Sequence, residues 1–117
     1  LVLKINRDAA RHFHSNLTGG PGEPARAYFA KRMAVDYNRI AVRAAKTRWG
    51  SCSAQGNLNF HWKLVLMPPE ILDYVVVHEL AHRIEMNHSA NFWREVEKIL
   101  PDYRERRMWL KENGGRL

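Results

Sequence analysis

From Asn57 to Leu66 the chain alternates. Leu58, Phe60, Trp62, Leu64 and Leu66 are apolar, with Asn57, Asn59, His61, Lys63 and Val65 between them. A period of two puts the first set on one face of a strand. Ile40 to Trp49, with its β-branched residues, reads as a second strand, and the turn-forming residues from Gly50 to Gly56 join the two into a hairpin or meander. Pro68 and Pro69 stop the strand and open a helix, where a missing N–H costs nothing. That helix is expected from Glu70 to about Met86. At 100° per residue Ile71, Val75, His78 and His82 share one stripe, and Val76, Val77, Leu80, Ala81 and Ile84 cover most of the rest. A helix apolar on nearly every side is a buried one.

Further helices follow. Ser89 can cap one that runs to Leu100, with Phe92, Trp93, Val96, Ile99 and Leu100 inward. Asp102 and Glu105 resemble a capping box for a last helix to about Glu112, ended by Gly114 and Gly115. Residues 25–38 also have helical spacing. Residues 1–16 read as a weak helix, and 17–24, rich in Gly and Pro, as a linker. The expected class is therefore α+β: a small antiparallel sheet packed against a central helix with flanking helices. Residues 1–24 are expected to be the remnant of a longer chain, and residues 25–117 the working domain.

Composition narrows the function. A length of 117 residues suits one domain. No apolar run approaches the roughly 20 residues of a membrane helix. Cys52 is the sole cysteine, so neither a disulfide framework nor a four-cysteine zinc module is available. With no signal peptide, the expected location is cytoplasmic. Charge is uneven: residues 1–63 hold eleven basic and three acidic residues. Such a half makes nucleic acid a possible partner, although no nucleic-acid-binding signature accompanies it.

The chemistry lies in His78-Glu79-Leu80-Ala81-His82, an H-E-x-x-H pattern. Residues four apart on a helix share a face one turn apart, so both imidazoles can reach one zinc ion. Glu79, 100° round the helix, can reach a water at that ion and serve as general base. A third ligand is needed. His88, six residues after His82, is one candidate, and Glu95 and Glu97 on the next helix are others. Glu85 lies on the metal-facing stripe and can orient a ligand. A fourth ligand from Cys52 or His61 would instead make the site structural. His12 and His14 are expected at the surface. The strand 57–66, or its neighbour, is expected to offer an unpaired edge to an extended substrate.

Several motifs agree with this pattern. Thr47-Arg48-Trp49-Gly50-Ser51-Cys52, Gly56, Leu58, Trp62 to Leu66, Pro68-Pro69-Glu70, Asp73 to His82, Asn87-His88-Ser89, Phe92-Trp93 and Pro101-Asp102-Tyr103 together resemble the YgjP-like metallopeptidase family. That family is similar to the SprT and WLM zinc proteases. The resemblance spans about residues 25–113. It implies a zincin-like fold, metal ligation by His78, His82 and His88, and catalysis by Glu79. The chain departs from the family at His61, where Asn usually precedes the Trp. The expected activity is zinc-dependent hydrolysis of a polypeptide, with Arg48, His61 and Tyr103 as candidate substrate contacts. The alternatives are a nucleic-acid-associated protease, through basic residues 1–63, and a non-catalytic zinc-stabilised interaction domain.

Overall fold

The computed structural model describes residues 25–44 and 48–114. The expected N-terminal helix and linker, with His12 and His14, lie outside them. In chain order the elements are α1 (Ala25–Met33), β1 (Arg39–Arg43), β2 (Gly50–Cys52), β3 (Asn57–His61), a 3-10 turn (Trp62–Leu66), α2 (Pro69–Ala81), α3 (Ala90–Ile99) and α4 (Tyr103–Asn113). The class is α+β, as expected.

The sheet is mixed rather than wholly antiparallel. Its order is β1-β3-β2. β2 and β3 pair antiparallel as a hairpin, while β1 lies along the other edge of β3 in parallel. The turn residues between Ser53 and Gly56 govern only the hairpin. Gly56 closes it with φ +85°, a conformation that favours glycine.

The alternating stretch is a strand for only half its length. Leu58 and Phe60 are buried as expected, but Trp62 is 45% exposed. The cause is local. His61 Nδ1 accepts a hydrogen bond from the main-chain N–H of Lys63 at 3.0 Å, which turns the chain into the 3-10 segment. β3 therefore sits between two partners and has no free edge. β2 is the edge strand on the site side, so the expectation of an open edge passes to it. β1 ends at Arg43 rather than near Trp49, and Gly50–Cys52, read as turn, is strand.

Helix α2 is the centre of the core. Val76, Val77, Leu80 and Ala81 have no exposed surface. They meet Leu58 and Phe60 from the sheet, Phe29 and Met33 from α1, and Phe92 and Val96 from α3. Ser89 Oγ accepts from Phe92 N and caps α3 as its position suggested. The capping box at α4 does not form. The Asp102 carboxylate pairs with Arg106 at 3.0 Å, and that guanidinium also donates to the carbonyl of Glu70 at the start of α2. No helix among the described residues is long and apolar enough to cross a membrane.

Helix α1 ends with paired bonds from Ala34 N to Lys31 O and from Val35 N to Ala30 O. This Schellman motif puts Ala34 at φ 55°. A left-handed residue with a Cβ costs about 1–2 kcal/mol relative to glycine, partly offset by the greater freedom of glycine when unfolded. Ala34→Gly should therefore stabilise the fold by about 0.5–1 kcal/mol. A thermal melt showing an unchanged or lower midpoint would contradict this.

Candidate metal centre

His78 and His82 occupy successive turns at the C-terminal end of α2. The helix stops at Ala81, five residues before the expected end. His82, Arg83 and Ile84 bond back three residues, to Glu79, Leu80 and Ala81. This tightened turn and the bend after it bring His88 back over the helix. No left-handed residue makes this bend, since Ala34 is the one non-glycine residue with positive φ among those described.

The three imidazoles converge. One nitrogen from each of His78, His82 and His88 lies within 4.8 Å of the others. Nε2 of His78 and Nε2 of His88 are 3.2 Å apart. Two nitrogens held tetrahedrally about 2.0–2.1 Å from one zinc ion would be roughly 3.3–3.4 Å apart, so the spacing suits a shared cation. Glu95 and Glu97 do not join this cluster, and neither do Cys52 or His61. Glu95 instead pairs with Lys98 at 2.9 Å.

Each helical imidazole is oriented from behind. His82 Nδ1 lies 3.1 Å from the carbonyl oxygen of Glu85. A carbonyl can only accept, so Nδ1 carries the proton and Nε2 keeps its lone pair. Glu85 thus acts through its main chain. His78 Nδ1 lies 3.5 Å from the Tyr74 hydroxyl. Phe92 stacks on His82 at 4.5 Å between ring centres, and Trp93 stacks on His88 at 6.0 Å. Tyr103 lies behind, stacked on Trp93 at 5.3 Å, and does not reach the cleft.

Burial sets the charge states. It lowers the pKa of His78 to about 3, helped by positive charge on His82, His88 and Arg107. It also lowers that of His82. Both imidazoles are therefore neutral and able to donate a lone pair to a cation. Burial pushes Glu79 up to about 8, opposed by the positive charge of Arg48. Tyr74, raised to about 12 mainly by burial, stays a phenol.

His78, Glu79, His82 and His88 line one cleft of about 470 Å³, facing the edge strand β2. Arg48, Cys52 and Tyr74 also line it; His61 does not. Sequence reasoning missed two of its residues. Gly50 lies so close to Glu79 that a Cβ there would come within 3.0 Å of Glu79 Cγ and Oε2. Tyr74 could have been found, since it stands one turn before His78.

These shifts predict how the metal-free chain responds to pH. Glu79 is protonated when folded up to about pH 8 but ionises near 4.5 when unfolded. Its contribution is fully present below pH 4.5 and is lost as pH rises through about 8. Glu79→Gln removes that loss. In chelator, the variant should melt well above wild type at pH 8, with the gap closing toward pH 4.5. Equal melting at both pH values would contradict the buried, protonated carboxyl.

The comparisons agree with this geometry. A sequence model of the YgjP-like metallopeptidase domain matches residues 10–113. No curated protein sequence matches the chain. Among solved structures, the crystal structure of the metallopeptidase zymogen of Pyrococcus abyssi, abylysin, is similar, with a TM-score of 0.66 and 25% identity, over 74% of this chain and 90% of that one. Helix α2, the mixed sheet on one side of it and the histidine cluster at its end thus belong to a metal-dependent peptidase fold, and the chain is a member of the YgjP-like metallopeptidase family.

Proposed function

We propose that the chain hydrolyses peptide bonds with one zinc ion held by His78, His82 and His88 and with Glu79 as general base. The observation that carries this reading is the convergence of three imidazole nitrogens within 4.8 Å in a cleft that also holds the Glu79 carboxyl. Three imidazoles are a donor set that zinc accepts, and three protein ligands leave a coordination position open. When bound, the ion supplies a Lewis acid that polarises a carbonyl and acidifies water.

The remaining steps belong to the chain's own residues. The edge of β2 lines the cleft and has no strand partner on that side among the described residues, so an extended peptide can pair along it. Glu79 takes a proton from water in the cleft onto a carboxylate oxygen and can return it to the leaving amine. Burial holds this carboxyl protonated in the metal-free chain, and a cation held by the histidines would favour the charged form that accepts a proton. Arg48 favours the charged form of Glu79, and Tyr74 and the Glu85 carbonyl keep His78 and His82 turned toward the cluster. A lone cysteine suits action in a reducing compartment such as the cytoplasm. A purely structural zinc site has no use for a buried base in the cleft. Protease action on nucleic-acid-bound substrates rests only on the charge of residues 1–63, and salt-dependent DNA binding would support it.

Elemental analysis should find one zinc per chain. Glu79→Gln should keep the zinc and lose at least about 10²-fold in chelator-sensitive cleavage of an unfolded polypeptide. His88→Ala should lose stoichiometric zinc. Cleavage retained by the Gln variant overturns the role of Glu79. Bound zinc with no cleavage by wild type would favour the non-catalytic reading.

A further inference from the structure

A second cavity, of about 310 Å³, shares residues 48–51 as a common wall with the metal cleft. Its other walls are Arg43, Asn59, Phe60 and His61, and among the described residues no acidic side chain lines it. Two arginines therefore border one small space with no counter-charge among its described walls. Arg43 is held in place by one bond, from Nε to Asn59 Oδ1 at 2.9 Å. Its remaining N–H groups have no protein acceptor among the described residues.

His61 supplies the independent sign of a ligand. The residue is 4% exposed. Its Nδ1 accepts from the Lys63 main-chain N–H, a group that can only donate, so the ring proton sits on Nε2. That Nε2–H has no protein acceptor among the described residues, and His61 is one of the residues that line the cavity. Trp49 and Trp62 hold it there, with ring centres at 5.4 and 6.0 Å. A buried donor left without an acceptor costs free energy that an acceptor entering the cavity recovers.

We propose that this cavity is a subsite of the same cleft and takes a carboxylate of the substrate polypeptide, bound by Arg43 and Arg48 with His61 Nε2–H as a neutral donor. The proposal rests on the peptidase reading, since the shared wall is the edge strand along which a peptide would lie. Guanidinium groups match a carboxylate in a paired, planar geometry. A space this small admits one acidic side chain or one chain end, not a run of phosphates.

Metal-free wild-type protein can be titrated with rhodamine-labelled peptides and followed by fluorescence anisotropy. Each peptide carries Glu or Gln at one scanned position and ends as free acid or amide. We expect one acidic form to bind on the order of tenfold more tightly than its neutral twin, the scale of a charge-assisted hydrogen bond. Discrimination of Glu from Gln identifies a side chain as the source; discrimination of acid from amide identifies the C-terminus. Arg43→Gln should remove the preference, and His61→Asn should weaken it. Arg43 is exposed, so its variant keeps the fold even where the His61 variant does not. Equal affinity for the acidic and neutral forms at every scanned position overturns the proposal, as does a preference that survives in Arg43→Gln. Displacement by a single-stranded oligonucleotide, with no acid–neutral discrimination, assigns the cavity to phosphate and overturns it too. Binding to metal-free protein is read without hydrolysis. A failure of the zinc-peptidase reading would therefore appear in cleavage assays and not here.

Discussion

The burial of helix α2 is the constraint on which everything else depends. Four of its apolar side chains are wholly enclosed, and the same helix carries Glu79 at 5% exposure and His82 at 8%. Burying a carboxylate or an imidazolium without a partner is costly, and the groups respond by becoming neutral. That response leaves the imidazoles with lone pairs available to a cation and the carboxyl protonated in the metal-free chain. The sheet depends on the same helix. Three strands of three to five residues do not stand alone, and theirs gain stability by packing Leu58 and Phe60 onto α2.

How closely the sheet approaches is decided by two glycines and one arginine. At Gly50 there is no room for a Cβ between Glu79 and the carbonyl of Asn59. β2 can therefore press directly on the Glu79 carboxyl, which keeps water from most of it. Arg83, just past the end of α2, donates to the carbonyls of Asp36 and Ala54 at 3.0 and 2.8 Å. It ties the link before β1 and the β2–β3 turn to the turn that leads to His88. Its ion pair with Asp36 adds little, because that carboxylate is 93% exposed. Gly56 completes the arrangement: a Cβ there would come within 3.0 Å of the Arg83 guanidinium.

What was legible in the sequence followed from local geometry. The His78–His82 spacing and the apolar wrap of α2 are properties of one helix, and both appear in the fold. His88 was legible as a spacing, but the path that brings it back was not. Ile84 continues the apolar period and so hides the helix end, yet it lies 43% exposed beyond that end. The parallel pairing of β1 with β3 has no turn chemistry to announce it, because the two strands are not consecutive. The early end of β3 depends on an imidazole capping a main-chain N–H, and side-chain alternation cannot show that. Gly50 read as a turn residue because close tertiary approach leaves no local trace. Glu85 orients His82 with a carbonyl that every residue possesses, so its carboxyl was a misleading clue.

The three histidines are held by unequal means, and the difference bears on how the site is assembled. His78 and His82 are placed by the core: α2 is fixed by packing that involves no cation, and Tyr74, Phe92 and the Glu85 carbonyl set their rings. His88 is exposed and belongs to no helix or strand. Two short-range devices fix its backbone. On one side the chain is anchored by the tightened turn after Ala81, with Arg83 bonded across to the sheet. On the other, Ser89 caps α3 and so sets where the helix behind His88 begins. Only eight residues separate Ala81 from Ala90, so the two anchors leave the segment little slack. Trp93, braced by Tyr103 and by Arg107 at 4.8 Å from its ring centre, provides the face against which the His88 ring rests. The cluster is thus two imidazoles preset by the core and a third preset by a short strap, so a cation arriving there meets a nearly formed site and little ordering cost remains.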